Sequence, residues 1–175
     1  MRLFIAIDFN NLKDYFSELQ EHLPKNAKLS LARSFHLTLK FLGNVQPDNI
    51  KKTKDELKKI KFEPFSVFLD DIGVFPSEDY VRVVWIRLNP EDCILELQKY
   101  IDEKLHGLFK KENDFKPHIT LARAKFIEDS KSFIEGLKKI NIENKKIRVD
   151  NFRLVRSNLT PEGPVYDDLE VFWQG

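Results

Sequence analysis

A single cysteine, Cys93, is all the thiol this 175-residue chain contains, which excludes a disulfide framework, a dithiol redox centre and a zinc knuckle. An excess of one charge sign is also missing. With 29 Lys and Arg against 28 Asp and Glu, long-range attraction to a polyanion is modest, and phosphate recognition has to come from local placement. No apolar run has the length of a membrane span. The opening stretch RLFIAIDF is short, lacks the small-residue cleavage pattern of a secretory signal, and reads as a first strand. Without low-complexity tracts, the chain is expected to be a cytoplasmic protein, its residues 1–175 forming one domain or two small lobes around a core that needs no staples.

Periodicity then orders the chain. A strand over Leu3 to Asp8 is followed by Leu12, Tyr15, Phe16, Leu19 and Leu23 at helical spacing, until Pro24 stops the pattern. The strand FHLTLKFL ends at Gly43-Asn44, a Lys-rich helix runs from Asp48 to about Ile60, and Pro64 leads into the strand FSVFL. The order recurs as strand VRVVWIRL, helix from Glu91 to about Phe109, strand PHITLAR, helix from Asp129 to Lys139, and strand IRVDNFRLV. Setting His36 on His118 gives an offset of 82 residues, which also sets Phe65 on Ile147 and Val67 on Val149. The expectation is an internal duplication folded as two like lobes about a pseudo-twofold axis. Phe75-Pro76 and Pro161 through Pro164 read as loops.

Alternation along a strand makes Phe35, Leu37, Leu39 and Phe41 one apolar row and puts His36 and Thr38 together on the other face. In the second copy Ile119 and Leu121 lie opposite His118 and Thr120. A lone strand of this kind is read as a capped surface histidine; two in matched frames point to one cleft holding two imidazoles and two hydroxyls. Imidazole titrates near neutrality, so one ring can take a proton from an attacking water while the other gives one to a departing alkoxide. Threonine hydroxyls can donate hydrogen bonds to phosphoryl oxygens as their charge grows. One imidazole per motif, with no further ligand at binding spacing, makes a metal site unexpected. No cofactor is called for. His22 and His106 lack such partners, and each sits near a predicted helix end.

The motifs FHLTLKFLG and PHITLAR resemble the paired HxT signatures of the two-histidine (2H) phosphoesterase superfamily. Together with RLFIAID, GVFPSEDYVRVVW and SNLTPEGPVY, in this order, they are most similar to the bacterial and archaeal RNA 2',3'-cyclic phosphodiesterases, historically called 2'-5' RNA ligases. The resemblance implies a bilobal α+β fold, with antiparallel sheets lining a central cleft and helices outside. It implies hydrolysis of a terminal 2',3'-cyclic phosphate to a 2'-phosphate, with His36 as general acid, His118 as general base, and Thr38 and Thr120 holding phosphate oxygens. Arg123 matches the same pattern and would offset phosphate charge through its guanidinium fork. Strict alternation puts Arg123 opposite His118, so a bulge or the strand's end has to turn it inward.

Lys40 shares the face of His36 by alternation and reads as a solvated lysine. Arg82, Ser157 and Tyr166 lie in matching segments without an assignable job, and Phe75 or Tyr166 suits the stacking of a terminal base. The expected partner is an RNA end bearing a cyclic phosphate, tRNA halves included, and a monomer is expected. The same site serves two other readings, cleavage or joining of 2',5'-linkages and a non-catalytic module for RNA ends. The second is disfavoured because Arg or Lys, charged at all physiological pH values, would serve a pure binder better.

Overall fold

The computed structural model describes residues 1–175. In chain order its elements are β1 (Arg2–Asp8), a 3-10 turn (Asn10–Leu12), α1 (Lys13–Glu21), β2 (Ala27–Leu31), β3 (His36–Asn44), α2 (Pro47–Leu57), β4 (Phe65–Pro76) and β5 (Val81–Asn89). They continue with α3 (Asp92–Lys104), β6 (Ile119–Ile127), α4 (Ser130–Lys138), β7 (Lys146–Val149), β8 (Asn151–Thr160) and β9 (Gly163–Trp173). Local chemistry sets the helix starts. Pro47 occupies the first turn of α2, where its missing N–H costs nothing, and the Asp129 carboxylate accepts from Ser132 N at 3.1 Å to cap α4.

The strands form two antiparallel sheets, ordered β3-β1-β8-β9 and β2-β6-β5-β4-β7. Leu3, Ile5, Leu37, Leu39 and Leu154 of the first sheet share one core with Leu69, Ile86, Ile119 and Leu121 of the second and with Phe16, Leu57, Ile94 and Ile101 of α1, α2 and α3. The expected α+β architecture of two antiparallel sheets with helices is what the chain adopts.

The sheets do not coincide with the two halves of the sequence. The first sheet takes β1 and β3 from the first half and completes itself with β8 and β9, while β4 crosses to the second sheet beside β5. β4 and β7 pair with Phe65 opposite Val149, Ser66 opposite Arg148, and Val67 opposite Ile147. This register maps onto itself under the 82-residue shift, so a twofold relating the repeats would pass between Ser66 and Arg148.

Several sequence expectations are corrected. IRVDNFRLV is two strands, β7 in the second sheet and β8 in the first, with the chain passing between them at Asp150. The sequence carries the sign: buried positions are odd at Ile147 and Val149 and even at Phe152 and Leu154. Phe75 and Pro76 end β4 instead of forming a loop. The Pro161–Pro164 segment is the turn of the β8–β9 hairpin, with Gly163 (φ 121°) beginning β9. The third helix ends at Lys104, short of Phe109. β2 and β9 carry no strand signal that the periodicity reading detected.

Candidate active site

β3 and β6 bring the two HxT motifs into place, and each contains the same irregularity. On β1 and β3, Ile5 pairs with Lys40 and the next residue, Ala6, pairs with Thr38, so Leu39 is an extra residue. On β5 and β6, Val84 pairs with Ala122 and Trp85 with Thr120, so Leu121 is extra. A bulge of one residue reverses which side chains face which way beyond it. Directly opposed residues share a face, so Trp85 and Thr120 lie on the same side as Val83 and Arg123. The bulge at Leu121 therefore turns Arg123 onto the face of His118 and Thr120. Leu121 and Ala122, adjacent and both fully buried, are its visible trace.

The bulge at Leu39 corrects two expectations in β3. Lys40 faces the core beside Ile5 rather than the cleft, and Phe41 leaves the apolar core row to lie with Phe4, Ala6, Thr38 and His36. Lys40 is only 2% exposed and is ion-paired with Asp102 of α3. Its ammonium also donates to Lys110 O at 2.6 Å, which ties β3 to the segment leading toward His118.

Each histidine is walled by two aromatic rings. His36 lies 5.0 Å from Phe4 and meets Tyr166 edge-on at 5.1 Å. His118 meets Phe75 edge-on at 5.0 Å and Trp85 at 6.1 Å. Trp85 lies flat over Gly73, where a Cβ would come within 2.3 Å of the indole; glycine is needed there to let the ring settle against the sheet. The apolar walls disfavour the imidazolium. Burial is the main cause lowering the His36 pKa to about 4; Asp8 opposes it, and the charges of His118 and Arg123 add to it. Burial also lowers His118, the Lys116 carbonyl pulls the other way, and Arg123 lowers it further. The Nδ1–H of His118 donates to Lys116 O at 2.7 Å, which leaves Nε2 as the free ring nitrogen.

Arg123 bears on both histidines and on Tyr166, whose hydroxyl is pushed up by burial and drawn down by Arg123 and Arg2. Two sheets thus contribute to one site: His36, Thr38 and Tyr166 from the first, His118, Thr120 and Arg123 from the second. Next to His36 a cavity of about 180 Å³ is lined by Asp8, Asn10, Ser34, Arg153 and Asp168 among others. Its polar groups are linked, Asp8 accepting from Asn10 at 2.6 Å and Asp168 from Arg153 at 2.6 Å. Asp8 is a member of the group that the sequence reading left without a role, and Tyr166, expected only as a platform for a base, packs against His36 instead. The pairing of Asp8 with His36 across β1 and β3 was not legible without the register.

The other singled-out residues fall outside this group or at its edge. Arg82 is exposed and stacks its guanidinium over Tyr80 at 5.7 Å. Ser157 pairs with Tyr166 across β8 and β9. His22 caps the end of α1, and His106 follows α3; both are exposed.

The LigT like Phosphoesterase family matches the chain twice, over residues 7–85 and 86–166. An RNA 2',3'-cyclic phosphodiesterase of Methanocaldococcus jannaschii is 36% identical over 174 residues, spanning 97% of this chain and 99% of the relative. The protein of that name from Thermotoga maritima is 35% identical over 177 residues, spanning 97% and 93%. Among solved structures, TT0787 of Thermus thermophilus superposes with a TM-score of 0.81 at 28% identity, covering 99% of this chain and 97% of that one. Escherichia coli LigT complexed with 3'-AMP gives 0.78 at 27% identity over the same shares.

Proposed function

Because the chain belongs to the LigT-like phosphoesterase family, we propose that it is a hydrolase that opens the 2',3'-cyclic phosphate at the end of an RNA to a 2'-phosphate. The observation that carries this reading is that the bulge at Leu121 sets Arg123 on the strand face of His118 and Thr120, while the charges of His118 and Arg123 act on His36 of the other sheet. His118, held by Lys116 O through Nδ1, offers Nε2 as the base that takes a proton from water. The water oxygen bonds to phosphorus as the bond from phosphorus to the 3'-oxygen breaks, and His36 delivers its proton to that oxygen. Thr38 and Thr120 donate to the non-bridging oxygens, and the Arg123 guanidinium offsets their charge.

In the free protein both rings are held below their ordinary range, so imidazolium is scarce at neutral pH. Bringing in the phosphate anion favours the charged ring and restores the acid. Since kcat/KM reports the free protein, its optimum is expected on the acid side of pH 6.5 and should decline as pH rises and His36 loses its proton. Arg123 lowers both rings, so Arg123→Gln should move the profile to higher pH even while raising KM. A pH series on the two proteins checks this. An optimum above pH 7.5, or one that Arg123→Gln leaves in place, would contradict the proposed electrostatics.

The working unit is read as one chain, a single duplicated two-lobed domain acting as a monomer in the cytoplasm, with tRNA halves among its substrates. No helix is long and apolar enough to cross a membrane. The first assay is hydrolysis of a short RNA ending in a 2',3'-cyclic phosphate, with EDTA present, followed by identification of the phosphate isomer formed. A 2'-phosphate released despite the chelator is expected. Cleavage or joining of 2',5'-linkages with the cyclic end left intact would replace this reading, as would tight binding of the end without turnover.

A further inference from the structure

The two repeats contribute different residues at one matched position. Three residues past its threonine, the second repeat places Arg123 on the cleft face, and by the same bulge the first repeat places Phe41 there. Phe41 is 66% exposed, although a phenylalanine gains most by leaving water. Its ring lies 6.3 Å from that of Phe4, which is itself 5.0 Å from His36. The exposed ring therefore stands one aromatic away from the reacting groups, backed by a buried neighbour.

We infer that Phe41 is the platform on which the terminal nucleobase of the substrate stacks, an assignment that rests on the proposed hydrolysis of RNA cyclic phosphates. A nucleoside 2',3'-cyclic phosphate is asymmetric, a charged group at one end and a flat aromatic base at the other. The cleft is built from matched strands and becomes asymmetric at this position, with a guanidinium on one rim and a bare aromatic face on the other. The guanidinium suits the phosphate and the phenyl ring suits the base, which fixes the base over the first sheet, on the side of the leaving 3'-oxygen.

The competing places for a base are already occupied. Phe75 stacks on Trp85 at 4.7 Å, and Tyr166 is set edge-on against both Phe4 and His36. These packed rings displace the expectation that Phe75 or Tyr166 would receive the base. In the cavity beside His36, the carboxylates of Asp8 and Asp168 are engaged by Asn10 and Arg153, so a base entering there has to break those contacts. Phe41 has no such commitment, and stacking on it is tolerant of sequence because every base offers a π-face.

The test compares adenosine 2',3'-cyclic phosphate with ribose 2',3'-cyclic phosphate, which has the same reacting centre and no base, and reads the ratio of their kcat/KM values. The unmodified chain should prefer the adenosine compound, and Phe41→Ala should shrink that preference by about 5- to 150-fold, chiefly through KM. Phe41→Trp should keep the preference or enlarge it. An unmodified chain that handles both compounds equally, or a Phe41→Ala variant that loses rate on both in equal proportion, overturns the assignment while leaving the hydrolytic reading intact. An unmodified chain that opens neither compound nor the short RNA ending in a cyclic phosphate removes the hydrolytic reading and this assignment with it.

Discussion

Alanine in place of either His36 or His118 should lower turnover of a cyclic phosphate end by roughly 10²- to 10⁴-fold, the usual contribution of a positioned proton donor or acceptor. The double variant should fall little further, because two groups acting in one transition state are not additive when removed. The two losses differ in kind. If His36 supplies the leaving group's proton, a p-nitrophenyl phosphodiester, whose leaving group needs no proton, should recover much of the rate lost in His36→Ala and none of that lost in His118→Ala. Equal behaviour of both variants on the activated ester would reverse or dissolve the assignment of acid and base. Unfolding is not the expected cause of either loss, since the rings pack against Phe4, Tyr166, Phe75 and Trp85 on cleft faces and not in the principal core.

Asp102→Ala is expected to destabilise the fold by about 3–5 kcal/mol, because it leaves the Lys40 ammonium buried without its counter-charge. Lys40 and Asp102 are 2% and 3% exposed. Asp102 also accepts from Glu112 N at 3.0 and 3.2 Å, so the loop after α3 loses its anchor as well. For a chain of this length the melting temperature should drop by roughly 6–20 °C. Replacing both partners together, Lys40→Met with Asp102→Leu, should restore part of the loss, since an apolar pair carries no desolvation penalty while Glu112 N and Lys110 O still lose their partners. Thermal melts of the three variants decide it. An Asp102→Ala protein that melts within a degree or two of its parent would show that the pair does not support the fold.

The residues most legible in the sequence were those whose environment is set locally. His36 with Thr38 and His118 with Thr120 stand out by strand alternation alone, and most helix and strand positions followed from periodicity, with Asp48 and Asp129 read within a residue of the observed helix starts. Reading alternation too strictly hid what depends on pairing. Lys40 and Phe41 exchanged environments because one extra residue, Leu39, enters β3. The same device in β6 brings Arg123 inward, and there the sequence carried a trace, since the buried positions change parity between Leu121 and Ala122. The burial of Lys40 was not readable at all, because its partner Asp102 lies 62 residues away on α3. β9 escaped detection because most of its residues are only partly buried, leaving weak alternation over VYDDLEVFW.

The exchange of β4 and β8 between the halves bears on how the chain comes together as it is made. β1 lies between β3 and β8, so one side of this otherwise buried strand has no partner until residues from Asn151 onward have emerged from the ribosome. At ordinary synthesis rates of ~5–20 residues per second, the interval from the end of β3 is roughly 5–20 s. Throughout that time an apolar strand edge is open to pairing with another nascent chain. Neither half can close its sheet alone, so a chain stalled or truncated before β8 is expected to keep that edge unpaired and open to aggregation instead of forming a half-active lobe.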